Sequence, residues 1–469
     1  MKILLIQHAK ENIESYPIGL GYIAGVLLGE GHQVYFFDAA FESDSINSLL
    51  KVIQEFKPQA LGFTLMTSQY SEFLILMRQV RARMTYKPTV VVGGAHASAD
   101  SERVLRDGLA NIVVRCEGEI VAQQLFYALE RGDDFSQIKG IAYLDKNGNY
   151  VQAEDAEYIE NLDALPKLPY NLLKIDRYLG RIHGLPVVNI QTSRGCPHKC
   201  VFCYRGPSGG RRVRFRSVHN VLQEISLLYK DYGFRAFNFC DDILTLKRDR
   251  ILELCKMIIA SNLKIFWTCE TRVDCVDYEL LSYMRRAGCV CIHFGVESES
   301  QEIIDKLQKK ITKPQVKEAF ANCQKLHIAT LAFFMFGTPW DTDEGIRETI
   351  EFAKKLKSTI TVFLCAMPYP GTQLRELFIE SGMHVPEDYR EYRQFIEGEY
   401  TSSTGKNKIK RDQSDVKNIC INATKEIVKS QILDVPSYLR LVIEYINLYG
   451  LTNFIMRVIK RFYLMTGKS

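Results

Sequence analysis

The chain has 469 residues, 46% hydrophobic and 25% charged, long enough for two or three domains and too ordinary in composition for a disordered or fibrous protein. Thirteen cysteines, an odd number in a long chain with no charged-then-apolar leader, argue against a secreted disulfide framework and predict reduced thiols in a cytoplasmic protein. The net charge of +5 is local, because residues 401–469 hold 12 Lys and Arg against 5 Asp and Glu; the remaining body is slightly acidic, so charge gives no support for nucleic-acid binding.

In chain order, Ile3 to Ile6 reads as a first strand, Ile18 to Leu28 as a helix closing at Gly29 and Gly31, Val34 to Phe37 as a second strand, and Ile46 to Phe56 as a helix stopped by Pro58. Ala60 to Leu65, Thr89 to Val92 and Asn111 to Val114 supply three more strands. Five strands with interleaved helices over residues 1–134 predict an α/β domain with a doubly wound, Rossmann-like sheet, whose ligand sits at the carboxyl ends of the strands. Residues 135–186 break the rhythm with hairpin chemistry at Lys146-Asn147-Gly148 and with Pro166, Pro169 and Pro186, and read as a linker. From Val187 the alternation restarts, with strands at Val187 to Gln191, Ala236 to Phe239, Ile265 to Cys269, Cys291 to Val296, Leu331 to Phe336 and Ile360 to Ala366. Six β/α units predict a partial (β/α)6 barrel over residues 187–372, with its chemistry on the loops after the strands. Residues 373–469 read as a mainly helical region with a basic amphipathic tail.

The strongest chemical signal is Arg194-Gly195-Cys196-Pro-His-Lys-Cys200-Val-Phe202-Cys203, three thiols at spacing CxxxCxxC directly after a strand. Three cysteines cannot close a tetrahedral zinc site alone, although His198 is available as a fourth ligand. Closely spaced cysteines on a loop also suit an iron–sulfur cluster, and a cluster with three protein ligands keeps one iron open.

Cys196, Cys200 and Cys203, with Phe202 just before the last thiol and six β/α units behind them, resemble the signature of the radical S-adenosylmethionine (radical SAM) superfamily. The resemblance, over about residues 187–370, implies a 4Fe-4S cluster on those cysteines, S-adenosyl-L-methionine on the open iron, its cleavage to a 5′-deoxyadenosyl radical, and a one-electron donor such as flavodoxin or ferredoxin. It further implies SAM contacts from Phe202, from Asp241 and Asp242 after the second barrel strand, from Glu270 and Arg272 after the third, from Glu297 after the fourth, from Lys309, and from Gly337 beside the adenine. Asp241 and Asp242 stand where the family usually carries Gly-Gly-Glu, and a carboxylate can receive the methionine ammonium there.

The first domain lacks the Gly-x-Gly-x-x-Gly of dinucleotide binders, with Gln7-His8-Ala9-Lys10 in its place. Pro17-x-Gly-Leu-Gly-Tyr22, Gly29-x-Gly31-His32-x-Val34, Thr64-Leu-Met-Thr67-Ser68 and Gly93-Gly94-x-His96 instead resemble the cobalamin (B12) module that precedes many radical SAM domains. That likeness implies cobalamin contacts from Thr64, Thr67, Ser68, Gly93, Gly94, His96, Glu117 and Gly118. The Asp-x-His-x-x-Gly motif that supplies a histidine to cobalt is missing.

Together these features lead to a cobalamin-dependent radical SAM enzyme that methylates an unactivated carbon by way of the 5′-deoxyadenosyl radical and methylcobalamin. A cyclase or rearrangement enzyme with the same cofactors is the alternative, and an iron–sulfur/cobalamin redox sensor the alternative from another class. The ten other cysteines read as buried thiols, with Cys240 and Cys365 as exceptions near strand ends. Between Pro436 and Met465 a largely apolar helical surface with a basic end reads either as a helix packed on the barrel or as one lying on the inner face of a membrane, the latter suiting an apolar or lipid-like small-molecule substrate. Its longest uncharged stretch, Tyr445 to Met456, is 12 residues, short of the ~20 that span a bilayer.

Overall fold

In the computed structural model, which describes residues 1–9, 14–204, 210–392 and 413–433 with Ile443 and Ile446, two seven-stranded sheets stand in succession. The first contains β1 (Lys2–Gln7), β2 (Gln33–Asp38), β3 (Ala60–Thr64), β4 (Thr89–Gly93), β5 (Ile112–Val114), β6 (Ile141–Leu144) and β7 (Tyr150–Gln152), in the order β2-β1-β3-β4-β5-β6-β7. Its helices are α1 (Ile18–Gly29), α2 (Ser45–Phe56), α3 (Tyr70–Arg83), α4 (Ala95–Ala99), α5 (Ser101–Arg106) and α6 (Gly118–Arg131), and the short α7 (Tyr170–Leu173) follows. β1 is an interior strand, apolar on both faces: Ile3 to Ile6 are all buried and pair in parallel with both β2 and β3.

The five expected strands form, but the segment 135–186 is more than a connection. β6 pairs antiparallel with β5, and β7 with β6, so the Lys146-Asn147-Gly148 hairpin extends the first sheet. Asp145 closes that hairpin, its carboxylate accepting from the Asn147 and Asn149 amides at 2.8 Å.

The second sheet is introduced by the hairpin of β8 (Arg181–Ile182) and β9 (Leu185–Ile190); β10 (Ser193–Arg194) and β11 (Arg214–Phe215) form a separate two-stranded ladder. The curved sheet continues with β12 (Ala236–Phe239), β13 (Phe266–Thr271), β14 (Cys289–Glu297), β15 (Ala329–Phe336) and β16 (Ile360–Cys365), parallel from β9 to β16. Its helices are α8 (Val218–Lys230), α9 (Arg248–Ala260), α10 (Tyr278–Arg286), α11 (Gln301–Lys306), α12 (Lys313–Lys325), α13 (Asp343–Leu356), α14 (Gln373–Glu380) and α15 (Gln413–Leu433). Ends are set locally: Ser217 caps α8 through the Asn220 amide at 3.1 Å, and Thr312 with Gln315 forms a capping box on α12.

α15 comes from the region beyond the expected barrel, yet it covers the barrel's last strand. Val416, Cys420, Ala423 and Ile427, spaced by four, three and four residues, are buried in the same core as Phe336 and Phe363. At the opposite end of the strands, the β8–β9 hairpin packs Ile182 with Ala236, Val290 and Ala329, and the His183 ring stacks on Phe266 at 4.7 Å.

One continuous core runs from Leu5 and Val114 of the first sheet through Tyr16, Tyr170 and Ile190 to Phe237 of the barrel. A second core, on the other face of the first sheet, takes in Tyr389 and Tyr392 from the segment after α14. The tail from Pro436 to Met465, apart from Ile443 and Ile446, lies outside the described residues.

Candidate functional site

The cysteine loop is built at its base. Arg194 of β10 faces Arg214 of β11 across an antiparallel ladder, and everything from Gly195 to Val213, including all three cysteines, lies between them. Gly195 takes φ +92°, a turn that favours glycine, and the Cys196 amide donates to the Gly210 carbonyl at 3.3 Å. The Val201 amide donates to Leu307 at the end of α11, and the Val201 carbonyl accepts from the Leu374 amide at the start of α14. The loop is therefore held from three directions.

Cys196 is buried and Cys200 and Cys203 are half-buried. The hydrogen bond with Cys203, and after it the charges of Lys309 and Arg272, bring the Cys200 thiol down to about 7 against the effect of burial. Thiolate ligation needs such an environment, and the donor set fits an iron–sulfur cluster. No three His, Cys, Asp or Glu side chains among the described residues are arranged around a single metal ion, so a zinc site completed by His198 finds no support there.

Three of the expected SAM residues, Glu297, Lys309 and Arg272, gather against this loop, next to a fourth, Phe202, which the loop itself carries. Lys309 pairs with Glu297, both buried, and its ammonium lies 5.8 Å from the centre of the Phe202 ring. Arg272 donates to the Lys309 carbonyl at 2.7 Å and forks onto Asp274 at 2.9 and 2.8 Å. Glu297 itself adopts φ +68°, an unusual backbone for a residue with a side chain, held here by the buried pair. Glu270 is exposed and faces His293 across the β13–β14 register, with Nδ1 and Oε1 3.9 Å apart.

Asp241 and Gly337 also meet partners within the chain. Asp241 is fully buried and accepts from the Thr192 amide at 3.1 Å, the Thr192 hydroxyl at 2.9 Å and the Ser193 hydroxyl. Burial pushes its carboxyl up, and these bonds oppose the rise. Arg250 adds a bond to the Thr192 hydroxyl at 3.1 Å, so Asp241 shapes the turn that leads into β10, while Asp242 lines a cavity. Gly337 has φ +91°, and a methyl group there would approach Val416 of α15 to 2.9 Å. Its glycine admits a helix of the chain itself.

The cavity, of about 580 Å³, opens between the carboxyl ends of β3, β4 and β5 and the mouth of the barrel. Leu5, Phe63 and Val92 supply apolar wall, and Gly195, Cys240 and Asp242 belong to the barrel side. Of the expected cobalamin residues, Thr64, Gly93, Gly94, Glu117 and Gly118 line it, whereas Thr67, Ser68 and His96 do not. His96 is fully buried, ringed by Tyr70 at 4.3 Å and Tyr389 at 4.8 Å, with Thr67 Oγ1 3.3 Å from its Nδ1. Burial pushes its imidazole down to about 4. The cradle is cut for a large flat group: Gly19 has nothing within 4 Å where a side chain would begin, and at Gly94, with φ +93°, a methyl would lie 2.7 Å from Thr64 Oγ1. The residues present fit a corrinoid.

Glu117 also faces the other way. Its carboxylate receives both arms of Arg214, at 2.7 and 2.8 Å, and the Ile159 amide at 2.9 Å. Glu119 receives Arg194 at 2.6 Å. Although burial opposes it, Arg214 and then Arg194 hold Glu117 below its usual range. Sequence reasoning missed Arg194, Arg214 and Glu119; the only visible signal was the Glu-Gly-Glu triplet after β5 and the position of Arg194 two residues before the first cysteine.

Comparison with known proteins bears on this geometry. Residues 190–353 match the family model of the radical SAM superfamily, and residues 9–126 match that of the B12 binding domain. An uncharacterized methyltransferase of Pyrococcus horikoshii is 33% identical over 401 residues, covering 84% of this chain and 86% of that protein. An anaerobic magnesium-protoporphyrin IX monomethyl ester cyclase of Cereibacter sphaeroides is 30% identical over 76% of this chain, which spans 59% of that enzyme. Among solved structures, the radical S-adenosylmethionine methyltransferase TsrM of Kitasatospora setae, with cobalamin and a [4Fe-4S] cluster bound, shares the fold with a TM-score of 0.70 at 20% identity, covering 82% of this chain and 79% of that one.

Proposed function

The chain belongs to the radical SAM superfamily and carries a B12-binding domain ahead of its radical SAM domain, and from that membership we propose that it transfers a methyl group to an unactivated carbon of a small molecule. The observation that carries the reading is the shared cavity, whose walls come from the strand ends of the B12-binding domain on one side and from Gly195, next to the first cluster cysteine, on the other. A substrate carbon placed there would lie between the residues that would hold the two cofactors.

Cys196, Cys200 and Cys203 would hold the 4Fe-4S cluster. Thr64, Gly93, Gly94, Glu117 and Gly118 would border the cobalamin, and Phe202, Glu270, Arg272, Glu297, Lys309 and Asp242 would frame SAM. When bound, these groups supply a 5′-deoxyadenosyl radical and a transferable methyl group. The chain's own residues do the positioning: Asp241 ties Thr192 and Ser193 in place ahead of the cysteine loop, and Glu297 and Lys309 neutralise each other beneath it. The apolar wall of Leu5, Phe63 and Val92 would keep water from the part of the cavity that these residues line.

Labelled SAM tests the reading. Reduced, fully loaded enzyme with its substrate is expected to give S-adenosylhomocysteine as well as 5′-deoxyadenosine. Deoxyadenosine alone, alongside an unmethylated product, would overturn methyl transfer and favour cyclisation or rearrangement, the second reading, which the Cereibacter cyclase supports.

No helix among the described residues is long and apolar enough to cross a membrane. A flavodoxin or ferredoxin as electron donor, and contact of the basic tail with an anionic membrane surface, belong to the same proposal. For the tail, removing residues 436–469 should abolish sedimentation with anionic vesicles at low salt; unchanged binding would refute the contact.

A further inference from the structure

Arg194 and Arg214 are register partners at the base of the cysteine loop, and both side chains are buried, at 10% and 3% exposure. Glu117 and Glu119, each 6% exposed, reach these two arginines from the B12-binding domain and neutralise them. Glu117, Gly118 and Glu119 also form one wall of the cavity at the start of α6. One three-residue stretch is thus wall to one cofactor site and anchor to the other.

That stretch has little slack. A methyl group on Gly118 would come within 3.0 Å of Ile23 on α1, so the start of α6 is pressed against its neighbour helix. Tyr158 fills the space above Gly210, inside the cysteine loop, where an added methyl would lie 2.5 Å from the ring. Its neighbour Ile159 is bonded through its amide to Glu117 and through its carbonyl to Arg214. A shift of the 117–119 segment must carry the arginine ladder with it, or leave a buried guanidinium without its carboxylate.

We propose that Arg194, Arg214, Glu117 and Glu119 are positioning residues that couple the cluster loop to the cobalamin cavity, so that filling either site favours filling the other. The inference rests on the reading of the two sites given above and adds a property that the reading does not require. None of the four has to touch iron or cobalt; they act through the base of the loop and the start of α6. Linkage makes the effect reciprocal: whatever factor the cluster adds to cobalamin affinity, cobalamin must add to cluster affinity.

The test uses the full chain under anaerobic conditions, with hydroxocobalamin as the probe. Its Kd is measured on protein carrying the reconstituted cluster and on the same protein stripped of iron, and cluster retention against a chelator at equilibrium is measured with and without hydroxocobalamin. Both ratios are expected to be about fivefold or more and equal. Glu119→Gln is expected to bring both near one while each cofactor still binds, and Arg194→Lys, which keeps the charge and loses a guanidinium that reaches Glu119 and Glu117 at once, to give an intermediate value. Ratios near one in the unaltered protein, or ratios unchanged in a variant that binds both cofactors, would overturn the proposal. If the variants do not fold, the unaltered protein's two ratios decide it. Failure to bind hydroxocobalamin in any form would instead remove the functional reading itself.

Discussion

Three histidines give the molecule opposing responses to pH. Burial pushes His8 and His96 down to about 4, with the Gln69 carbonyl 3.1 Å from His8 Nε2 opposing the shift in the first case. In the unfolded chain both imidazoles take up protons near pH 6.5, so stability falls as pH drops from about 6.5 to about 4. His293 behaves oppositely: burial alone would lower it, but its contacts with Cys291 and Glu270 raise it to about 10. Its contribution is complete below pH 6.5 and is lost as pH rises through about 10. The urea midpoint of the cofactor-free chain is therefore expected to pass through a broad maximum near pH 6.5, with His293→Gln flattening the alkaline side only; an equally steep alkaline side in that variant would contradict the assignment. At this scale the cysteine trio was legible because three thiols at fixed short spacing already specify a ligand set. Asp241 and His96 were not, because a polar side chain at a strand end serves either a ligand or its own loop. For Asp241 the partners that decide, Thr192 and Ser193, lie 49 and 48 residues away, and for His96 the ring of Tyr389 comes from a different part of the chain.

At the scale of elements, α15 is the unexpected part. It is the only helix among the described residues after α14, and it covers the edge strand β16 of the barrel, with Cys420 Sγ 3.9 Å from Cys365 Sγ. Gly337 is where it seats, so Gly337→Ala forces both a positive φ and a 2.9 Å approach to Val416. That substitution is expected to cost about 1–3 kcal/mol and to act locally. Hydrogen exchange over residues 413–433 should accelerate while β1, β3 and β13 keep their protection; uniform acceleration would show that the helix is no separate unit. The eleven strands read from the sequence all form; interior ones such as β1 and β4 are near-continuous apolar runs because both of their faces are covered. The fate of the β6–β7 hairpin and the seat of α15 were hidden for a different reason. Both depend on which exposed edge or face lies open to a segment, which no local periodicity records.

Across the whole molecule, the two domains are joined by apolar packing as well as by ion pairs, since one core runs from Leu5 through Tyr16 and Tyr170 to Phe237. Their division was legible from the change in rhythm at the prolines, while their common cavity was not, because its two halves come from separate segments, one ending at Phe126 and the other beginning at Gln191. The buried Arg–Glu lattice explains why the junction is geometrically defined: apolar contact resists separation, and bidentate bonds fix the register of one half on the other. The hairpin of β8 and β9 has a consequence for traffic through this molecule. With Ile182 and the stacked His183–Phe266 pair packed at the amino ends of the strands, the cavity stands at the other end of the barrel, against the B12-binding domain. A molecule that uses this cavity meets residues of both domains on its way in and on its way out.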